Sequence, residues 1–264
     1  MNKTDKHTFA ICAYKESPYL EECIQSLLSQ TVSSNIILAT STPCGFIENL
    51  CSKYQIPYFI NDGEHGITQD WTFAYHQCNT PMVTIAHQDD VYYSNYVEEL
   101  LYWARRSENP IIFSTDYEEL RDGQYIHSNR LLKIKRIMMW PLRFPFWQKS
   151  KWMRRRILSL GSPICCPSVT YFRDNMPEVI FQNHFRTNED WEAWEMLSKR
   201  NGEFLYSKKP LMAHRIHEES ETSATIRETG RSAEDMEMYL KFWPKWIAKI
   251  LCGFYKSSEN SNNL

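Results

Sequence analysis

The sequence predicts an α/β fold with a mostly parallel sheet flanked by helices. Three observations carry that prediction. Within the first 115 residues, apolar runs of strand length alternate with longer segments whose apolar residues recur at helical spacing. The runs are short and apolar, as strands buried from both sides are. Strand and helix repeat in series, and such β-α-β units build a parallel sheet with helices on both faces.

Each element follows in order. The first strand is read at Thr8 to Ala13. Ser17 and Pro18 supply an N-cap and a first-turn proline. The helix they open carries Leu20, Cys23, Ile24, Leu27 and Leu28 on one stripe. Ile36 to Ala39 is the second strand, and Ile47, Leu50, Cys51 and Tyr54 mark the helix after it. Tyr58 to Ile60 is the third strand, followed by a helix with Ile67, Trp71, Ala74, Tyr75 and Cys78. Met82 to Ala86 is the fourth. Ser94 is expected to cap a helix with Val97, Leu100, Leu101 and Ala104, and Ile111 to Ser114 is the fifth strand. In such sheets ligands bind beyond the carboxyl ends of the strands. The residues to inspect therefore follow Ala13, Ala39, Ile60 and Ala86.

Composition narrows the function classes. With 264 residues, 42% of them hydrophobic, the chain can bury a sizeable core without staples. A net charge of −2 removes any global case for nucleic-acid binding. No apolar run reaches the roughly 18 to 20 residues of a membrane span, and the N-terminus lacks a secretory pattern. A cytoplasmic protein is expected. The eight cysteines fit: Cys12, Cys23, Cys51 and Cys78 fall at apolar positions, no CxxC pair suggests zinc, and the adjacent Cys165 and Cys166 read as structural. Neither a dinucleotide fingerprint nor a P-loop is present.

The strongest chemical signal follows the fourth strand, in MVTIAHQDDVYY. His87, Asp89 and Asp90 stand at a strand's carboxyl end. Adjacent carboxylates repel, and a divalent cation or a basic partner removes the conflict. Oxygen ligands suit Mg²⁺ or Mn²⁺, and an imidazole moves the preference toward Mn²⁺. The plainer alternative is a helix start with acids near the positive end of its dipole.

Two long strings give these residues a context. FAICAYKESPYLEECIQSLLSQT resembles the first strand, Tyr-containing turn and Leu-Ser-Gln-rich helix of family-2 glycosyltransferases with the GT-A fold. GITQDWTFAYHQCNTPMVTIAHQDD resembles that family's Gly-to-helix segment and its metal-binding Asp-x-Asp motif. The resemblance covers the first 105 residues, the nucleotide-sugar half. It implies that Asp89 is a direct metal ligand with Asp90 second, and that Mn²⁺ or Mg²⁺ offsets the charge growing on a diphosphate leaving group. His87 occupies the seat of the family's first acid, where it ligates metal or hydrogen-bonds the ribose or diphosphate. Thr40 and Ser41 stand where the family has a base-gripping Asp. Lys15 replaces an Asn. Tyr14 and Glu16 remain nucleotide contacts by the same resemblance, with a core position the alternative for Tyr14, and Asp62 and Thr72 are weaker ones. The donor it implies is a nucleotide sugar, a UDP-sugar first.

The second half should hold the acceptor and the base. In FRTNEDWEAWEMLSKR, Glu189-Asp190-Trp191 precedes an amphipathic helix with Trp194 and Leu197 on one face. Acids after a Thr187 or Asn188 cap are also an ordinary helix start. The resemblance makes Asp190 the general base of an inverting transfer, taking the proton of the acceptor hydroxyl, with Glu189 as its neighbour. It also reads LMAHRIHEESETSATIRETGR as a loop that closes over the diphosphate, with Arg215, His217 and Ser220 matching and His217 completing the metal shell. His214 reads as structural.

Between the halves, Arg130 to Arg156 holds ten Lys or Arg and no acid, interleaved with Trp140, Phe144, Phe146, Trp147 and Trp152. That mixture suits an anionic membrane surface or a lipid-linked acceptor, or a solvated basic loop; nucleic acid comes last. After Pro244, Ile247, Ile250, Leu251 and Phe254 form one face of a helix and Lys245, Lys249 and Lys256 another, as in an interfacial helix or one packed on the catalytic domain. KSSENSNNL reads as a disordered tail. The chain divides into a GT-A domain at 1–232, with a nucleotide-sugar half at 1–115 and an acceptor half at 116–232, and C-terminal helices with the tail at 233–264.

The function expected is an inverting, metal-dependent glycosyltransferase acting on a glycan or lipid-linked acceptor in cell-surface polysaccharide synthesis. Two alternatives stand. IAHQDDVY resembles the Ala-His-Pro-Asp-Asp motif of zinc N-deacetylases, with HRIH offering another ligand, although Gln88 replaces the proline and four strand-helix units precede it. A non-catalytic binding protein on the same fold is the other.

Overall fold

A computed structural model describes residues 2–217 and 231–260. The strands are β1 (Asn2–Ala13), β2 (Val32–Thr40), β3 (Tyr58–Ile60), β4 (Met82–His87), β5 (Val91–Tyr92), β6 (Pro110–Arg121), β7 (Gln124–Ile126), β8 (Thr170–Phe172) and β9 (Glu203–Ile216). The helices are α1 (Leu20–Leu28), α2 (Gly45–Tyr54), α3 (Ile67–His76), α4 (Tyr96–Ala104), α5 (Arg130–Met139), α6 (Pro145–Gln148), α7 (Lys151–Leu158), α8 (Glu189–Ser198), α9 (Arg231–Leu240) and α10 (Lys245–Asn260). One sheet runs in the order β3-β2-β1-β4-β8-β6-β9-β5, with β7 on β6.

The α/β class and the parallel order hold from β3 to β4. Beyond β4 the sheet is mixed. The short β8 enters antiparallel between β4 and β6, so the fifth expected strand, now β6, does not touch β4. β6 pairs in parallel with β9 along most of its length. These pairings join residues far apart in sequence, which local periodicity does not report.

The sheet is apolar on both faces because its central strands alternate two apolar sets. On β1, Phe9 and Ile11 pack with Leu20, Ile24 and Leu27 of α1 and Leu100 of α4. Ala10 joins Val83 and Ile85 of β4 in the opposite layer, with Tyr75 of α3 and Trp191 and Trp194 of α8. Ser94 does not cap α4; Asn95 holds that position without a side-chain bond. Gly66 precedes α3 at φ 147°, a conformation L residues rarely adopt, so the turn into α3 requires glycine. α10 continues through Asn260, past the point where a disordered tail was expected. All eight cysteines are free thiols; burial raises the pKa of Cys165 and Cys166.

A polar seam crosses this core. His7 Nδ1 lies 2.7 Å from Ser34 Oγ and Nε2 lies 2.8 Å from Thr84 Oγ1. Thr84 continues to Thr170 Oγ1 at 2.6 Å, and Tyr96 Oη reaches the same hydroxyl at 2.9 Å. Burial drives the His7 imidazole down to about 3. The unfolded chain therefore binds a proton near pH 6.5 that the native state refuses, and stability falls as pH drops below 6.5. Between pH 7 and pH 5 His7 should cost about 2 kcal/mol. Urea unfolding at both pH values measures it. The His7→Gln protein should lose less over that interval, and equal losses in the two proteins would refute the assignment.

Candidate active site

β4 ends in the middle of the sheet, with His87 beside Cys12 of β1. The motif therefore emerges at the carboxyl edge the fold predicts for a ligand. His87, Asp89 and Asp90 each offer a ligand atom, all within 4.8 Å of one another. His87 Nε2 and Asp90 Oδ2 are buried and lack a hydrogen-bond partner. A buried polar atom without a partner is costly. Two of them, aimed into one cluster of carboxylates and imidazole, fit a hard or borderline divalent cation. The His87 ring is fixed by stacking on Trp71, with centroids 5.2 Å apart.

A second layer holds these ligands. Asp90 Oδ1 accepts from the backbone N of Arg215 at 2.9 Å and lies 2.9 Å from His214 Nδ1. Asp89 Oδ2 lies 2.9 Å from His217 Nε2. Burial opposes ionisation of Asp89, but the His217 hydrogen bond and the charges of His87 and His214 prevail and hold its pKa below the ordinary value. Burial lowers the His87 pKa, against the pull of Asp90 and Asp89. At His214 burial is outweighed by Asp90, and the pKa rises.

Arg215 was expected in a mobile loop over the diphosphate. It lies in β9 and is buried. Its Nε donates to the Asp89 carbonyl at 2.8 Å, its guanidinium pairs with Glu22 of α1, and it sits 4.2 Å from the centre of the Tyr19 ring. Arg215 thus braces the motif. His217 follows β9, touching Asp89 and packing on Tyr19, and is not part of the three-residue cluster. Ser220 lies outside the described residues.

The loops after β1, β2 and β3 meet beside the motif. Gln88 locks the first to it: its Oε1 accepts from Tyr14 N at 3.0 Å and its Nε2 donates to Tyr14 O at 2.9 Å. Lys15 takes φ 56°, and its N–H donates to Thr42 Oγ1 at 2.6 Å. A non-glycine residue in that region marks strain that the surroundings must hold. Tyr14, Glu16 and Asp62 are exposed at this edge, so Tyr14 is not core. Thr40 is buried and its hydroxyl accepts from Thr42 N, so it shapes the loop. Thr72 bonds back to the Thr68 carbonyl.

Periodicity did not flag Asp70. From the first turn of α3 its carboxylate accepts from Ser41 Oγ at 2.7 Å and Asn61 Nδ2 at 2.8 Å. A carboxylate therefore stands between the ends of β2 and β3, although the segment after β2 supplies none. The signal for it was present: an acid in the first turn of a helix that starts at the ligand edge.

In the second half of the chain, α8 begins at Glu189. Glu189 is buried and Asp190 half-buried. Asp190 Oδ1 accepts from Trp191 N at 2.6 Å, and Oδ2 lies 3.5 Å from Ser162 Oγ. The preceding residues are clamped by α9, through Thr187 to Glu234 and Asn188 to Asp235. α8 is not amphipathic as expected. Trp191, Glu192, Ala193, Trp194, Glu195, Leu197 and Ser198 are all buried, and its acids pair outward, Glu192 with Lys241 and Glu195 with Arg155. The sheet's carboxyl edge thus carries a group of residues that could hold a cation, and α8 carries a carboxylate in its first turn.

The profile of Glycosyl transferase family 2 matches residues 8–176. Solved structures of the same fold include S. aureus TarS 1-349 in complex with UDP-GlcNAc, at TM-score 0.61 and 12% identity, over 94% of this chain and 70% of that one. The mannosyltransferase PcManGT from Pyrobaculum calidifontis, in complex with GDP-Man and Mn²⁺, aligns at TM-score 0.64 and 10% identity, over 94% and 69%. Against S. aureus TarS in the longer form the alignment has TM-score 0.59 and 12% identity, and it covers 93% of this chain but 42% of that one. No curated protein matches the chain at the level of sequence.

Proposed function

Because this chain belongs to glycosyl transferase family 2, we propose that it is an inverting, cation-dependent transferase that moves a sugar from a uridine diphosphate donor to a hydroxyl of a glycan or lipid-linked acceptor. The observation that carries the cation dependence is the pair of orphaned buried atoms, His87 Nε2 and Asp90 Oδ2, in one cluster with Asp89. A divalent cation bound there supplies Lewis-acid charge against a diphosphate leaving group. The chain's residues do the rest. Asp70, Ser41 and Asn61 offer a carboxylate and two polar groups to a base, and Tyr14 and Glu16 border the same edge. Asp190 accepts the proton of the attacking hydroxyl, and Glu189 stands beside it. A role in cell-surface polysaccharide assembly on the cytoplasmic face of a membrane agrees with a nucleotide-sugar donor. Among the described residues no helix is long and apolar enough to cross a membrane.

A zinc deacetylase would need the second His of the site as a ligand. His214 Nδ1 is directed at Asp90, a contact that leaves Nε2 open to a metal, so it is the family match that favours the transferase reading.

Calorimetric titration with UDP, GDP, CDP and ADP, with and without Mn²⁺, tests the proposal. UDP should bind, and only with the metal. Failure of every nucleotide in both conditions would sink the donor reading, and tight zinc retained through purification would revive the deacetylase.

A further inference from the structure

The region from α5 to α7 was expected to be strongly basic, and the structure divides its charges. Arg154 is fully buried and donates to the carbonyls of Arg200 and Gly202. Arg136 pairs with Asp116 and Arg155 with Glu195. These three serve the fold. Arg130, Lys133, Arg143, Lys149 and Lys151 are exposed.

The aromatic residues show the reverse of ordinary burial. Trp140, Phe144, Phe146, Trp147 and Trp152 form an unbroken chain of rings, with successive centroids 5.1, 6.1, 4.7 and 6.4 Å apart. Phe146 is 63% and Trp152 61% exposed. Arg156 extends the chain, its guanidinium 5.8 Å from the Trp152 ring and 4.8 Å from that of Trp243. Trp243 is anchored by donation to Ser159 O at 2.7 Å and leads directly into α10. There Trp246 is 66% exposed and Lys245 and Lys249 face solvent. A soluble surface scatters its apolar side chains singly. Here they are contiguous across α5 to α7 and α10, and every charge within 130–156 is positive.

We infer that this face docks on an anionic lipid bilayer, with the ring chain at the headgroup level and the exposed lysines and arginines against the lipid charge. Tryptophan and basic side chains together favour that interface. Aliphatic residues decide against single-stranded nucleic acid, the other partner that aromatics and cations can serve. Ile137 is 73% exposed on α5 and Ile250 is exposed on α10. An aliphatic side chain gives a base nothing to stack on, whereas it gains by entering hydrocarbon. The inference does not depend on the transferase reading. If that reading also holds, the same α5 that carries Ile137 sends Lys135 to Tyr117 at 2.9 Å and Arg136 to Asp116, on the strand that runs beside His214. The bilayer would then lie at the acceptor side of the site.

Sedimentation with vesicles tests it. The full chain should pellet with vesicles of phosphatidylcholine containing about one third phosphatidylglycerol and partition at least about tenfold less onto phosphatidylcholine alone. Salt should weaken the binding. Acyl chains brominated near the headgroup should quench tryptophan emission. Replacing Phe146→Ala with Trp152→Ala should cut partitioning about tenfold and leave the thermal midpoint in place, as these side chains are exposed. Ile137→Ser is a second, milder probe should the double variant fold poorly. Three outcomes would each overturn the inference: no pelleting with anionic vesicles, pelleting without quenching and indifferent to the aromatic pair, or an aromatic-dependent affinity for a single-stranded oligonucleotide with none for vesicles.

Discussion

Asp190→Asn should lower turnover of a sugar nucleotide by about 10²- to 10⁴-fold, the range a positioned general base supplies, and leave nucleoside diphosphate affinity within about twofold. The substitution isolates basicity. Asp190 Oδ1 accepts from Trp191 N at 2.6 Å, and an Asn carbonyl in that place accepts the same bond. The first turn of α8 therefore keeps this bond. Trp191, packed on Tyr239 and donating to the Leu158 carbonyl at 3.0 Å, keeps its seat. An Ala at this position would also remove that hydrogen bond, at about 1 kcal/mol, and confuse stability with chemistry. Release of nucleoside diphosphate, with water or a hydroxyl as acceptor, reads the rate. Calorimetry reads the affinity. A variant that retains the wild-type rate would remove Asp190 from the base role and leave Glu189, buried one residue earlier, as the next to be changed.

What the sequence made legible was local, and what it hid was long-range. β3 falls on its predicted residues, and β1, β2 and β4 contain theirs, because apolar runs and intervening stripes report burial within a window of a few turns. The entry of β8 between β4 and β6 depends on contacts across some 90 residues, which no window contains. The same division runs through the site. The His87-Asp89-Asp90 cluster was visible since three potential ligands stand within four residues at a strand end. Asp70 was missed because its partners, Ser41 and Asn61, come from two other loops. Arg215 was assigned to a loop by the family resemblance of its Arg-x-His-x-x-Ser string. In the fold it lies in β9, where pairing of β9 with β6 carries it to the motif. Helix α8 was read as amphipathic from Trp194 and Leu197, yet α7 and the C-terminal segment cover its polar side with cations matched to its acids. Charged residues at regular spacing thus meant burial with partners, not exposure.

Asp89→Asn should remove most of the stabilisation of the protein by Mn²⁺ and weaken metal-dependent nucleotide binding by about 100-fold or more. Replacing groups that only orient a ligand already costs about 10- to 100-fold in metal affinity, and loss of a ligand's charge exceeds that. At a metal concentration near 100 times the dissociation constant, binding adds about 2.7 kcal/mol to wild-type stability. If affinity falls 100-fold, the same concentration equals the new constant and adds about 0.4 kcal/mol. In thermal terms the wild-type midpoint should rise by roughly 5 to 10 °C and that of the variant by about 1 °C. The metal-free midpoints separate this from damage to the fold. Asp89 is held ionised by His217, His87 and His214, so the variant forfeits that pairing and should be somewhat less stable without metal. Its neighbour Asp90 is fixed independently by Arg215 N and His214, so the turn should persist. Equal Mn²⁺ shifts in the two proteins would mean that the cation, if it binds, is not held by Asp89. His87 and Asp90, with their orphaned atoms, would then have to be explained without it.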